Sequence, residues 1–219
     1  RIVYEYTLEA VNYLFSRDCP LVILACNTAS AKALRNIQQQ DLPRMAPGRR
    51  VLGVIRPSVE KVAWITGNGH VGVLGTPGTV SSLSYPIELA KWAGGKVVST
   101  VQEACPMWVP LVENNELDSP GTDYFVEKHV RALLKKDPLL DTVILGCTHY
   151  PLLTDTILKY LPGHIALVNQ GPVVAAKLAD YLLRHPEMDS RISRNGTTTY
   201  LTTESSEIFE SKAALFLGE

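Results

Sequence analysis

The chain has no apolar run near the roughly 20 residues that span a bilayer, and no charged start leading into an apolar stretch and a cleavage site. A membrane partner is therefore not expected, and the expected location is cytoplasmic. Charge of one sign is equally scarce. With 21 Lys and Arg against 22 Asp and Glu, the formal charge is -1, and its even spread leaves no basic stripe to neutralise a phosphate backbone. Nucleic acid is thus not an expected partner. Cysteine is sparse: Cys19, Cys26, Cys105 and Cys147, with no CxxC pair, make no disulfide framework and are read as free thiols. The glycines of Gly75-Thr-Pro-Gly-Thr79 lack the order GxGxxG, so they suit a tight turn exposing Thr76 and Thr79 better than a dinucleotide site.

At 46% hydrophobic residues, what is present suffices for a sizeable core. Apolar residues recur at helical spacing from Ile2 to Phe15, and Ser16-Arg17-Asp18 ends that element. Short apolar runs then read as buried strands at 21–25, 51–55, 71–74, 96–99, 142–145 and 165–168. Helix-length segments lie at 29–40, 80–93, 124–136, 152–160 and 173–184. This alternation predicts an α/β fold of mainly parallel sheets flanked by helices. Residues 41–50 and 119–122 read as surface connections. Asn195-Gly196 reads as a turn, 197–201 as a threonine-rich strand, and 205–217 as a closing helix.

An internal repeat organises the chain. Leu21-Val-Ile-Leu-Ala-Cys26-Asn-Thr matches Thr142-Val-Ile-Leu-Gly-Cys147-Thr-His in register. Two similar domains are expected, one from residues 1–57 plus 170–219 and one from 58–169, with the active site in the cleft between them. In each copy the cysteine follows a strand and precedes a helix, where open α/β sheets bind ligands. A helix start offers unpaired N–H groups and a positive dipole end, which favour both a thiolate and a substrate carboxylate. Asn27, Thr28, Thr148 and His149 add side-chain donors.

Two like groups facing one substrate suit racemisation of an amino acid, in which one base removes the α-proton and its counterpart supplies a proton on the other face. The thiols are expected to be lowered toward neutrality, one working as thiolate and one as thiol. Cys19 and Cys105, each before a proline, read as packing residues. His149 has a plain alternative as a helix cap, and the other four histidines read as surface residues. A zinc site built on Cys147 and His149 lacks further ligands at workable spacing, so no metal is expected.

The motifs ACNTAS at Ala25–Ser30 and GCTHYPLL at Gly146–Leu153 resemble the two catalytic motifs of the glutamate racemase family. GVIRPS at 53–58, GTPGT at 75–79, ACPMWVPLVE at 104–113 and the closing YLTTE with FLG resemble family segments in family order. The resemblance implies a racemase without pyridoxal phosphate or metal that interconverts L- and D-glutamate for peptidoglycan, often as a homodimer. It implies Cys26 and Cys147 as the two bases, and Asn27, Thr28, Thr148 and His149 around the substrate. His149 would help its neighbouring thiol exchange protons, Glu113 would orient that histidine, and Thr76 and Thr79 would add substrate contacts.

The family pattern also includes an early Asp-Ser-Gly strand and a Tyr-Gly loop, neither of which is found in residues 1–219, and Asn169-Gln170-Gly171 stands where a second Asp-Ser-Gly is frequent. Three rivals remain: an aspartate racemase or related enzyme of the same superfamily, a thiol hydrolase using Cys147, and a non-catalytic amino-acid-binding relative.

Overall fold

The computed structural model describes residues 1–194 and 196–217. Helix α1 (Ile2–Ser16) leads into strand β1 (Leu21–Leu24), the short helices α2 (Asn27–Lys32) and α3 (Leu34–Asn36), a π-turn at Ile37–Asp41, α4 (Leu42–Met45) and β2 (Arg50–Gly53). The chain continues through α5 (Ile55–Ile65), β3 (His70–Gly75), α6 (Pro77–Ser81), α7 (Ser84–Trp92), β4 (Ser99–Ala104), α8 (Trp108–Glu113) and α9 (Pro120–Lys136). Strand β5 (Thr142–Gly146), a 3-10 turn at Tyr150–Leu153, α10 (Thr154–Tyr160), β6 (Ala166–Val168), α11 (Gln170–Arg184), α12 (Pro186–Asp189) and α13 (Ser206–Leu217) complete it.

Among the described residues all strand pairs are parallel. A two-stranded sheet joins β1 to β2, and a four-stranded sheet has the order β4-β3-β5-β6. The larger sheet is covered on both faces, because side chains alternate along a strand. Leu74, Val143 and Leu145 face Trp108, Val130, Leu133 and Tyr150 of the helical layer on one side. Val71, Val73 and Ile144 face Val59, Val62, Tyr85 and Leu89 on the other. The smaller sheet packs Val22, Leu24 and Val51 against Val11 and Phe15 of α1 and against Ile37 and Leu42. The α1 contacts at Tyr4, Leu8, Val11 and Phe15 follow the helical spacing of the sequence. Cys105 is buried in the larger core, and Cys19 packs beside the smaller one.

Several expected boundaries move. The expected strand at 51–55 stops at Gly53, and Ile55 opens α5, a helix that tolerates Pro57 because it lies in the first turn. The join expected between residues 57 and 58 falls within α5. The strand expected at 96–99 lies instead at Ser99–Ala104, since pairing with β3 sets Ser99 opposite His70 and Ala104 opposite Gly75. The helix expected at 80–93 is broken by Leu83, whose φ of 56° is left-handed. Much of 41–50 is helical, anchored by buried Leu42, with Pro43 at a helix start where its missing N–H costs little. Ser119 is not loop but N-cap, accepting from the Thr122 N–H ahead of Pro120.

Residues 197–201 form no strand: they are exposed and lie outside both sheets, and a threonine-rich segment becomes a strand only with a neighbour to pack on. The expected Asn195-Gly196 turn includes Asn195, outside the described residues, as does Gly218 of the closing motif. Two histidines are not surface residues. His129 is buried with Nδ1 2.7 Å from Glu103 Oε1, and half-buried His70 lies 2.8 Å from Asp137 Oδ2.

Candidate active site

Parallel pairing sets the ends of three strands level. Gly75 lies opposite both Ala104 and Gly146, so Thr76, Cys105 and Cys147 leave the larger sheet along one rim. In the smaller sheet Leu24 pairs with Gly53, and Cys26 follows two residues on. The repeat therefore corresponds to two parallel strands, each with a cysteine just past its carboxyl end. The loops then diverge. Cys26, exposed, is the N-cap residue of α2, whereas Cys147 is buried and enters a turn before the 3-10 segment.

That divergence governs the chemistry of Cys147. Burial pushes its thiol up to about 11, and the charge of Cys26 adds to the rise, while the backbone N–H groups of His149, Tyr150 and Thr148 pull the other way. The expected lowering toward neutrality is thus not met at Cys147, because loss of water around the sulfur outweighs the three amides. The Thr148 side chain is exposed beside it.

His149 Nδ1 stands 3.9 Å from Cys147 Sγ, and His149 Nε2 stands 2.6 Å from Glu113 Oε1. The remaining Glu113 oxygen, Oε2, pairs with Lys212 Nζ at 2.7 Å. The hydrogen bond from His149 and then that from Lys212 hold the Glu113 carboxyl below its usual range. An ionised carboxylate only accepts, so Nε2 carries the proton, and in the neutral ring Nδ1 offers its lone pair toward the Cys147 thiol. Phe216 of α13 closes the other side of the imidazole, edge-on with ring centroids 5.0 Å apart.

Asn27 and Thr28 begin α2 and reach across to the other sheet's elements. Asn27 is buried. Its Nδ2 donates to Gln170 Oε1 at 2.7 Å, and its Oδ1 accepts from Tyr85 Oη at 2.7 Å. Thr28 Oγ1 lies 2.9 Å from Thr76 Oγ1 and 3.2 Å from Thr79 Oγ1. This close approach uses Gly78, where a Cβ would stand 3.0 Å from Thr28 Cγ2. Thr76 caps α6 by accepting from the Thr79 N–H. Thr79 is fully buried, contrary to the expected exposed turn, because its side chain points into this hydroxyl cluster. Among the described residues no three His, Cys, Asp or Glu side chains gather as metal ligands.

A model of the Asp/Glu/hydantoin racemases matches residues 2–178. The glutamate racemase of Ruegeria sp. (strain TM1040) is 40% identical over 225 residues, covering 98% of this chain and 80% of that protein. The chain belongs to the glutamate racemase family. Two solved glutamate racemases share its fold. Isoform RacE1 from Bacillus anthracis has a TM-score of 0.86 at 30% identity, covering 99% of this chain and 77% of its own. The Thermus thermophilus enzyme, in complex with beta-chloro-D-alanine, has a TM-score of 0.77 at 31% identity, covering 100% and 76%.

In this family member the structure brings together most of the residues singled out from sequence: Cys147 with His149 and Glu113, and Thr28 with Thr76 and Thr79. It also adds residues that sequence reasoning missed. Tyr85, Ser58 and Gln170 surround Asn27, and Lys212 and Phe216 come from the far end of the chain. Three of them lay in segments already singled out: Ser58 closes GVIRPS, Phe216 opens FLG, and Gln170 is the middle residue of the segment that departs from the family pattern.

Proposed function

We propose that this protein interconverts L- and D-glutamate, without a cofactor, using Cys26 and Cys147 as the two bases. The observation that carries the proposal is the pair of thiols at equivalent strand ends, one exposed and one buried. One sulfur, as thiolate, takes the proton from the α-carbon, and the other, as thiol, gives its proton to the opposite face. The net change is inversion, with the proton count restored by exchange between the sulfurs and solvent. Burial keeps Cys147 protonated at neutral pH, the state in which it donates, and His149 Nδ1 is placed to take that proton when the roles reverse. Asn27, Thr28, Thr148 and Thr76 supply polar contacts for the substrate and for charge developing on its carboxylate, and buried Thr79 holds the Thr28 and Thr76 hydroxyls from behind.

Glutamate as substrate follows from the names of the relatives above. The same kinship supports a supply of D-glutamate to peptidoglycan, a homodimer and a cytoplasmic location. Among the described residues no helix is long and apolar enough to cross a membrane. We assign residues 1–57 with 170–219 to one domain and 58–169 to the other, each built around one of the two sheets.

Cys147, His149 and Glu113 also have the order of nucleophile, base and orienting acid of a thiol hydrolase. That reading leaves Cys26 and the cross-sheet threonines without a role. The test is deuterium entry at the α-carbon of L- and D-glutamate in D2O. Exchange from both enantiomers is expected, with racemisation falling at least about 1000-fold in Cys26→Ala and in Cys147→Ala. Racemisation that survives in either variant would sink the two-thiol mechanism.

A further inference from the structure

Asn27 sits in a closed ring of buried polar groups whose protons can be counted. Tyr85 and Ser58 are fully buried, Asn27 is 3% exposed and Gln170 8% exposed, so each polar atom must find its partner within the protein. Ser58 Oγ donates its single proton to Val54 O at 2.9 Å. Toward Gln170, 2.7 Å away, it can therefore only accept, which makes the nearer Gln170 atom the amide nitrogen. The second Nε2 proton of Gln170 goes to Tyr85 Oη at 2.7 Å, and Val54 O lies farther off at 3.4 Å. Tyr85 then has one proton left to give, and it goes to Asn27 Oδ1. Gln170 Oε1 accepts from Asn27 Nδ2.

No member can turn over. A flipped Gln170 would set its nitrogen against the Asn27 nitrogen and its oxygen against a serine that has no proton to spare. A flipped Asn27 would set its oxygen against Gln170 Oε1. The ring starts from a backbone carbonyl of fixed polarity, so its direction is settled all the way to Asn27, which retains one Nδ2 proton that the ring does not use.

We propose that Gln170 is a positioning residue for racemisation: through the ring with Ser58 and Tyr85 it locks the Asn27 amide, next to Cys26, as a hydrogen-bond donor. The group received there is then a substrate carboxylate and not its ammonium, because an ammonium needs an acceptor. This rests on the reading of Asn27 as a substrate contact. The ring joins α2 to α5, α7 and α11, so the same bonds hold the loop carrying Cys26 against the larger sheet.

The experiment compares kcat and KM for both glutamate enantiomers in wild type, Gln170→Met, Asn27→Ala and the double variant. Gln170→Met fills similar space without the amide. It is expected to raise KM about tenfold, the loss of one hydrogen bond to a charged group, with a smaller fall in kcat. The double variant is expected to match Asn27→Ala, since Gln170 acts through Asn27. An unchanged KM in Gln170→Met would overturn the proposal, and so would effects that add fully in the double variant, as for a merely structural residue. If Gln170→Met fails to fold, Tyr85→Phe removes one proton from the ring and is read in the same way. Should Asn27→Ala itself keep the wild-type KM, the proposal falls, and the failure lies in the reading of Asn27.

Discussion

Raising the pH past the ordinary thiol range tests the environment of Cys147 directly. With the thiol pushed up to about 11 against an ordinary 9.0, its thiolate fraction at pH 8 is about 0.1%, where an ordinary cysteine has about 10%. Iodoacetamide labelling of the ligand-free protein, read peptide by peptide, should give a Cys147 rate that climbs about tenfold per pH unit and turns over near 11. The midpoint is the readout, because burial slows the absolute rate as well. Stability carries the same signature. Between pH 9 and 11 the folded state holds a proton that the unfolded chain has released, so rising pH favours unfolding; below pH 9 both states hold it and the contribution is constant. Two pH units of displacement amount to about 2.7 kcal/mol, lost across that window. Burial raises the Tyr85 and Tyr150 hydroxyls too, so the comparison is wild type against Cys147→Ser, which lacks the thiol. A labelling midpoint below pH 9, or identical alkaline slopes for the two proteins, would refute the argument that burial outweighs the three amides.

Glu113→Gln keeps an acceptor for His149 Nε2 but removes the charge that holds the tautomer and pairs with Lys212; kcat is expected to fall about tenfold in steady-state assays of both directions. Trp108→Ala empties a fully buried site where the indole meets Tyr150 at 4.8 Å between centroids, and should cost about 3–5 kcal/mol in denaturant unfolding. Asp141 accepts from Thr66 Oγ1, Thr142 Oγ1 and the Gly67 and Asn68 amides, so Asp141→Ala should cost about 1–3 kcal/mol. Burial opposes the ionised form of Asp141, yet the bonds from Thr66, Asn68, Thr142 and Gly67 hold its carboxyl below the ordinary range. Its stabilisation is therefore present above the ordinary value and lost as pH falls through the folded one, a slope that urea titrations of Asp141→Ala should lack.

The parallel α/β plan was legible because β3 and β5, covered on both faces, are nearly pure apolar runs, and β1 is one as well although its Ile23 is exposed. Edge strand β4 escaped because Ser99–Ala104 is mostly polar and only half-buried; its position comes from pairing with β3, a relation that no local pattern records. The thiol motifs were visible through their repetition, whereas the Asn27 ring was not. Ser58, Tyr85 and Gln170 are ordinary polar residues of three separate helices, and only the packing of α5, α7 and α11 around α2 makes them one unit. Lys212 was invisible for the same reason, since it meets Glu113 from almost 100 residues away.

What the two copies of the strand-cysteine unit do not share explains how one fold repeated can run a reaction that needs unlike partners. A symmetric pair of thiols would titrate alike, and at any pH the fraction with one sulfur charged and one neutral would be split between two opposite arrangements. Here Cys26 opens a short helix at an exposed position, while Cys147 is wrapped by a turn, the 3-10 segment and His149, and its thiol is displaced upward by burial. In the proposed mechanism Cys147 is thereby the neutral proton donor of the resting protein. Reversal of roles then requires a proton acceptor beside Cys147 and none of the same kind beside Cys26. In the proposed mechanism that acceptor is His149, held by Glu113 with Nδ1 3.9 Å from the sulfur. His149 should therefore matter unequally: in His149→Asn, kcat at saturating substrate should fall about tenfold more in the direction in which Cys147 must act as base, with KM falling in step because the two enantiomers have equal free energy. Equal loss of kcat in both directions at saturating substrate would mean that the histidine does not serve the thiol.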